Sequence, residues 1–292
     1  MKKLLITGSS GLLGWHVCQQ ATSQWQVYGI YGSRQVEIQH THQIRLDLRD
    51  YQALKDLFAA VQPDAVIHLA AQSQPNWCQQ NPDLAYATNV TASWNVAGLC
   101  ADAEIPCVFT STDMVFDGSQ PPYRETDPVN PINIYGAQKV AAEAGMRSRY
   151  PATAICRMPL MFGIAPMINN FLQSFLKTLQ AGQTLNLFTD EFRTPVSATT
   201  AAQGLLLAVD KVQGTIHLGG KERLSRYEFG LQLVESFQLK NAQINACRQA
   251  EVVMPAPRPA DVSLDSTQAF NLGYQPPTIA AELLSLRDAL QV

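Results

Sequence analysis

The chain has 292 residues, of which 46% are hydrophobic and 15% charged, and carries a net charge of -3. That length holds one large domain or two unequal ones, and the composition is that of a globular protein rather than a disordered one. With no block of like charge and no apolar run as long as a bilayer is thick, neither nucleic acid nor a membrane is expected as a partner.

The first apolar stretch, Leu4-Leu5-Ile6, ends at Thr7-Gly8, too soon for the apolar core of a signal peptide. It reads as a strand over residues 3–7 of a cytoplasmic protein. A helix over 11–21 follows, then a strand over 26–31, a strand over 44–47 and a helix over 51–61. Further on come a strand over 65–69, a helix over 84–101, a strand over 107–111, a helix over 134–149 and a strand over 154–157. This β-α alternation predicts an α/β fold, a doubly wound parallel (Rossmann) sheet with right-handed crossovers. After Pro159 the rhythm breaks. Helices are expected over 167–181, 198–211 and 225–237, and strands over 184–188 and 215–218. The run Met254-Pro255-Ala256-Pro257-Arg258-Pro259 reads as a loop. Residues 1–159 are therefore expected to form a nucleotide-binding domain, completed by elements within 195–225, and residues 160–292 mostly a smaller substrate lobe.

Thr7-Gly8-Ser9-Ser10-Gly11-Leu12-Leu13-Gly14, directly after the first strand, is a turn suited to a dinucleotide. Gly8 lets the chain leave the strand tightly, Gly11 removes a Cβ where phosphate meets the helix, and Gly14 lets the helix pack on the sheet. Ser9 and Ser10 can cap the helix or bond phosphate, and Ser10 and Leu12 are counted with the glycines as cofactor residues. NAD binding wants a carboxylate after the second strand. This chain has Tyr31-Gly32-Ser33-Arg34 and no acid before Glu37, so Arg34 is expected to meet a 2′-phosphate and NADP(H) is favoured over NAD(H). Asp47 and Leu48 are placed to flank the adenine, and the small residues Ala70 and Ala71 to leave room for ribose and phosphate.

Tyr135 and Lys139, four apart on one helix, share a face. An ammonium near a phenol favours the phenolate and can bring it into range for proton exchange. The same ammonium can hold the nicotinamide ribose. Thr112, ending the preceding strand, is placed to hydrogen-bond the reacting carbonyl oxygen. A lone Tyr-x-x-x-Lys occurs often by chance; here it follows a nucleotide turn, a strand and a Ser/Thr pair in order.

These residues resemble the extended short-chain dehydrogenase/reductase superfamily, and within it the dTDP-4-dehydrorhamnose reductase group, over essentially the whole chain. The resemblance rests on Ser111-Thr112-Asp113-Met114-Val115-Phe116-Asp117-Gly118, on Tyr123-Arg124-Glu125 with Asp127 and Pro131, and on Tyr135-Gly136-Ala137-Gln138-Lys139 with Glu143. Arg157 with Phe162-Gly163, and Arg258-Pro259 with Leu264-Asp265, extend it. It implies Thr112, Tyr135 and Lys139 as the catalytic triad. It also implies a sugar nucleotide held between the lobes, with Thr112, Asp113, Met114, Leu160 and Arg258 as substrate-binding residues. The family motif carries Tyr where this chain has Met114, usually an aromatic where it has Leu160, and Ser or Ala where it has Val262. Arg157 through Gly163 also looks like the regulatory beta subunit of methionine adenosyltransferase, which implies a non-catalytic, nucleotide-bound module as the alternative. Asp113 leaves open an epimerase or dehydratase, and the resemblance leaves a homodimer open.

No metal site is expected. The cysteines (Cys18, Cys78, Cys100, Cys107, Cys156, Cys247) are scattered and read as buried or neutral thiols. The five histidines lack ligand spacing, with His40 and His42 in a loop. Asp190-Glu191 reads as a pair of solvated loop carboxylates, and Trp77 and Trp94 as core or interface.

Overall fold

Successive residues of a strand point to opposite faces of its sheet, and the fully buried run Leu4-Leu5-Ile6 means that both faces are covered. The computed structural model describes residues 1–166 and 170–290. In chain order its first half contains β1 (Lys3–Thr7), α1 (Leu12–Ala21), β2 (Gln26–Tyr31), β3 (Thr41–Arg45), α2 (Tyr51–Val61), β4 (Ala65–His68), α3 (Pro75–Gln80) and α4 (Pro82–Tyr86). A π turn (Ala87–Thr91), α5 (Ala92–Asp102), β5 (Cys107–Thr112), a 3-10 turn (Asp113–Val115), α6 (Ile134–Arg149) and β6 (Ala154–Met158) follow. The second half contains β7 (Met161–Phe162), α7 (Phe171–Gln180), β8 (Leu185–Phe188), β9 (Phe192–Arg193), β10 (Val196–Ser197) and α8 (Ala198–Lys211). It continues with β11 (Gly214–His217), β12 (Leu224–Ser225), α9 (Arg226–Ser236), β13 (Ile244–Cys247), α10 (Thr267–Asn271) and α11 (Ile279–Leu290).

Seven parallel strands form the central sheet in the order β11-β6-β5-β4-β1-β2-β3. On one face Leu4, Ile6, Ile67 and Cys156 pack against Val17 and Cys18 of α1 and Ala201, Leu205 and Ala208 of α8. On the other, Leu5, Val66, Phe109 and Ile155 meet Leu54 of α2, Val96 of α5 and Met146 of α6. Each large side chain buried this way contributes about 1.5–3 kcal/mol. This is the Rossmann-type doubly wound architecture, and its ligand crevice lies at the carboxyl ends of the strands beside β1, β4 and β5.

A second cluster gathers Phe162, Leu172 and Leu176 of α7, Phe229 and Leu233 of α9, and Ile279 and Leu283 of α11. Small sheets stitch this region: β8 with β13, and β9 with β12. Glu282 ties α11 to the start of α8, accepting from the Ser197 hydroxyl at 2.7 Å and the Ser197 N–H at 2.9 Å, and from Thr200. Among the described residues no helix is long and apolar enough to cross a membrane.

Several elements differ from the sequence reading. The third strand runs Thr41–Arg45 rather than 44–47, because it is a half-exposed edge strand with little apolar pattern, and His42 lies in it, stacked on Tyr28. The helix expected over 84–101 is broken into α4, the π turn and α5. Helix α7 starts at Phe171, capped by Asn170 with Gln173 reaching back, and residues 167–169 of the expected helix lie outside the described residues. The six cysteines are free thiols, five of them buried, and burial pushes Cys18 up to about 12.

Candidate active site

The end of β1 meets the end of β4. Thr7 Oγ1 accepts from the backbone N–H groups of Leu69 and Ala70, both at 3.1 Å, and lies 2.7 Å from His68 Nδ1. Gly8 then turns with φ +71°, and a Cβ there would stand 2.9 Å from the Ala70 backbone. At Gly14 a Cβ would stand 2.1 Å from the Gly8 carbonyl oxygen. Both positions require glycine. Neither serine caps α1: Gly11 is the N-cap with no side-chain bond, and Ser9 Oγ donates instead to Gln43 Oε1 at 3.0 Å. The first turn of α1 thus keeps its N–H groups and the positive end of its dipole for a ligand, beside a backbone stripped of side chains. That arrangement fits a pyrophosphate.

The other expected nucleotide residues line the same edge of the sheet. Ala70 and Ala71 are half-buried, and the Ala70 backbone lies directly against Gly8. Arg34 is exposed, shortly past β2. Asp47 is exposed and lies past the end of β3. Its hydrogen bonds from Arg49 hold its carboxyl below the usual range. Leu48 turns into the core beside Leu54 and Phe58.

Across the crevice, Asn133 caps α6 by accepting from the Gly136 N–H at 2.9 Å. A Cβ at Gly136 would stand 2.2 Å from the Met114 carbonyl, so glycine there brings the first turn of α6 down onto the chain just after Thr112. Tyr135 and Lys139 are 8% and 2% exposed. Burial, and then the charge of Asp113, raise the Tyr135 phenol, while the Thr112 hydroxyl acts on it in the opposite direction as a hydrogen-bond partner. The Lys139 Nζ lies 4.0 Å from the centroid of the Phe109 ring. Burial lowers the Lys139 ammonium to about 7, against the pull of Glu143. Burial thus dominates both groups in the ligand-free protein: it raises the phenol and lowers the ammonium to about 7.

Beneath the lysine, the Phe109 ring stacks on His68, which burial and then the Lys139 charge lower to about 3, keeping it neutral. Glu143 accepts two bonds from Arg157, at 3.1 and 2.9 Å, and one from Ser111. Ser111, Glu143 and Arg157 thus brace the strand that carries Thr112 and the helix that carries Tyr135 and Lys139.

Thr112 Oγ1 donates to Asp113 Oδ1 and accepts from the Met114 N–H, both at 3.2 Å. Asp113, itself 3% exposed, faces Arg193 Nη1 at 3.3 Å. Burial raises its carboxyl although Arg193 opposes this. Arg193 continues to Glu191 at 3.2 Å, and Glu191 to Arg226 at 3.5 Å. Glu191 is not a solvated loop carboxylate. It is 4% exposed; burial pushes it up, and the charges of Arg226 and Arg193 more than reverse this, leaving it low. Asp190 accepts from the Gln249 N–H at 3.0 Å. Arg258 completes the cluster, half-buried, within electrostatic range of Glu191, Arg193 and Arg226.

Thr112, Asp113, Met114, Tyr135, Lys139 and Arg258 are thus drawn together from the expected set. Met114 packs with Tyr135 and Cys78, flanked by Trp77. Leu160 stands apart in the turn after β6, its carbonyl accepting from the Val196 N–H at 3.2 Å. Sequence reasoning missed Arg193, Arg226 and Asn89. The side chain of Asn89, on the π turn, bonds the Gln72 N–H at 2.7 Å, the Gln72 carbonyl at 3.1 Å and Gln138 at 2.9 Å. Such turns concentrate at functional sites but leave no local sequence signal.

Comparison with known proteins agrees with this architecture. The family model described as the RmlD substrate binding domain matches residues 1–291. A probable low-salt glycan biosynthesis reductase, Agl14 of Haloferax volcanii, is 33% identical over 292 residues, covering 97% of each chain. The beta subunit of methionine adenosyltransferase 2 of Xenopus laevis is 29% identical, over 93% of this chain and 83% of that one. The crystal structure of a dTDP-4-dehydrorhamnose reductase from Clostridium acetobutylicum superposes with a TM-score of 0.87 at 27% identity, covering 99% of this chain and 100% of that one.

Proposed function

The chain belongs to the RmlD substrate binding domain family, and from that premise we propose that it is an NADP(H)-dependent reductase of a 4-keto sugar nucleotide, of the dTDP-4-dehydrorhamnose reductase type. The observation that carries the reading is the buried Tyr135 phenol, partnered by Thr112 and followed one helical turn later by buried Lys139. A nicotinamide cofactor, when bound, supplies the hydride. Tyr135 donates its proton to the oxygen of the keto carbon, and the Thr112 hydroxyl, which donates to Asp113 in the ligand-free protein, turns its single proton to that oxygen when substrate is bound. Lys139 stands ready for an anionic or hydroxyl-bearing ligand beside the phenol. Gly8, Ser10, Gly11, Leu12, Gly14, Ala70 and Ala71 hold the dinucleotide backbone, and Asp47 its adenine end, with Leu48 packed into the core behind it. Residues 1–159, with elements of 195–225, form the cofactor half, and residues 160–292 mostly the sugar half, where Arg258 takes the diphosphate.

Arg34 sets the cofactor preference. Arg34→Ala should weaken NADPH binding roughly tenfold, the order expected for one charge-assisted contact, and leave NADH binding almost untouched. Parallel titrations with the two cofactors check this, and equal losses for both would remove Arg34 from the 2′-phosphate.

The reductase reading is tested with NADPH carrying deuterium at the transferred position. Deuterium appearing at carbon 4 of the sugar supports it. Turnover without net NADPH oxidation would instead favour an epimerase or dehydratase, although Asp113 is committed to Arg193 and Thr112 and is poorly free to act as an acid. A second reading, a nucleotide-bound regulatory subunit, is favoured by the methionine adenosyltransferase relatives and by Met114 beside Tyr135. It predicts NADPH binding without turnover of any keto-sugar nucleotide, and co-purification with a partner enzyme.

A further inference from the structure

Asn133 serves two elements at once. Its Oδ1 caps α6 through the Gly136 N–H at 2.9 Å, while its Nδ2 donates to the Pro257 carbonyl at 3.0 Å. Asn76, on α3, holds the same segment: its Oδ1 accepts from the Ala256 N–H at 3.3 Å and from Arg258 Nη2 at 2.9 Å. Arg258 Nη1 bonds back to the Ala256 carbonyl at 2.8 Å. Three consecutive residues are thus pinned between two asparagines, one of which caps the helix whose second residue is Tyr135. Pro255, Pro257 and Pro259 fix φ at alternate positions and stiffen the segment, so a shift at Arg258 is passed on rather than absorbed.

We propose that Asn133 is a positioning residue that couples the Arg258 segment to the catalytic phenol. A diphosphate engaged by Arg258 pulls on the Pro257 carbonyl, and through Asn133 on the first turn of α6, seating Tyr135 for proton transfer. The inference rests on the sugar-nucleotide reading above. It expresses remote binding energy as orientation at the reacting centre. A keto sugar lacking the diphosphate then loses kcat and not merely affinity.

Asn133→Asp separates the two bonds. Aspartate caps a helix as well as asparagine does but offers no donor to Pro257 and repels its carbonyl. The test is a double-mutant cycle of Asn133→Asp with Arg258→Ala in the NADPH-bound protein. It reads dTDP affinity by calorimetry, kcat with the 4-keto sugar nucleotide, and melting temperature. Asn133→Asp should keep its melting temperature and NADPH affinity while kcat falls roughly tenfold. The double variant should be no slower than Arg258→Ala alone, because the two residues act through one segment. Asn76→Ala should weaken dTDP binding, and Asn76→Asp, which keeps the acceptor, should restore it. If Asn133→Asp lowers the melting temperature, Asn133→Ser, an uncharged cap too short to reach Pro257, carries the same expectation. Wild-type kcat in the Asn133 variants, or losses that multiply in the double variant, would overturn the coupling while leaving the reductase reading intact. A wild-type protein that binds NADPH but neither dTDP nor UDP would overturn the sugar-nucleotide reading, and the coupling with it.

Discussion

Tyr135→Phe should bind NADPH almost as wild type does and reduce keto sugar slower by about 10²–10⁴-fold, the span of a lost general acid. The substitution removes one oxygen and little else. The ring keeps its packing with Met114, Cys78 and Ala85, and Thr112 keeps its bonds to Asp113 and to the Met114 N–H. Stability should therefore hold, which separates this outcome from misfolding. The phenol lies above its ordinary value because of burial and the neighbouring Asp113. It is thus protonated throughout the neutral range, the state a reductase needs. Stopped-flow NADPH oxidation and a cofactor titration on the same sample check both halves. A variant that turns over at the wild-type rate would remove Tyr135 from the chemistry.

Lys139→Met should abolish turnover and yet raise thermal stability. The ammonium is 2% exposed, and burial lowers it from 10.5 to about 7, so the folded state holds this proton less tightly than the unfolded chain does. The cost of burying the charge is present in full below pH 7 and disappears as pH rises towards the unfolded value. Wild-type stability should accordingly gain from this group between about pH 7 and pH 10. The advantage of Lys139→Met should be largest at or below neutrality and close at alkaline pH. Melting curves over that range test it, and a variant less stable than wild type at pH 6 would contradict it. In the ligand-free protein Lys139 titrates near 7. NADPH binding should therefore take up a proton near that pH, and its affinity should fall as pH rises. Calorimetry in buffers of different ionisation enthalpy should find the uptake in wild type and not in the variant.

The sheet was legible where both faces are buried. Leu4-Leu5-Ile6, ended at once by the Gly8 turn, and Ala65-Val66-Ile67, bounded by Pro63-Asp64, are apolar runs too short for helices and read as strands buried on both faces. It was less legible at the edge, where β3 alternates half-exposed polar residues and the apolar Leu48 signals packing past its end. The strands β7, β9, β10 and β12 have two residues each, too few to carry any period. Thr112, Tyr135 and Lys139 could be picked out because helix geometry and chain order constrain them. The buried chain Asp113–Arg193–Glu191–Arg226 could not, since three separate parts of the sequence supply it and only folding makes them neighbours. Nor could spacing foretell the protonation of the pair. A Tyr and a Lys four apart suggest mutual tuning, but desolvation dominates both groups and moves each toward its neutral form.

The most direct test of the account is NADPH oxidation by wild type with a dTDP-4-keto-6-deoxy sugar generated in situ, with Tyr135→Phe as the matched control. The account predicts a steady absorbance decrease in wild type and almost none in the variant, with both proteins binding NADPH. Absence of oxidation in a wild type that binds NADPH, or equal oxidation in the two proteins, would contradict it.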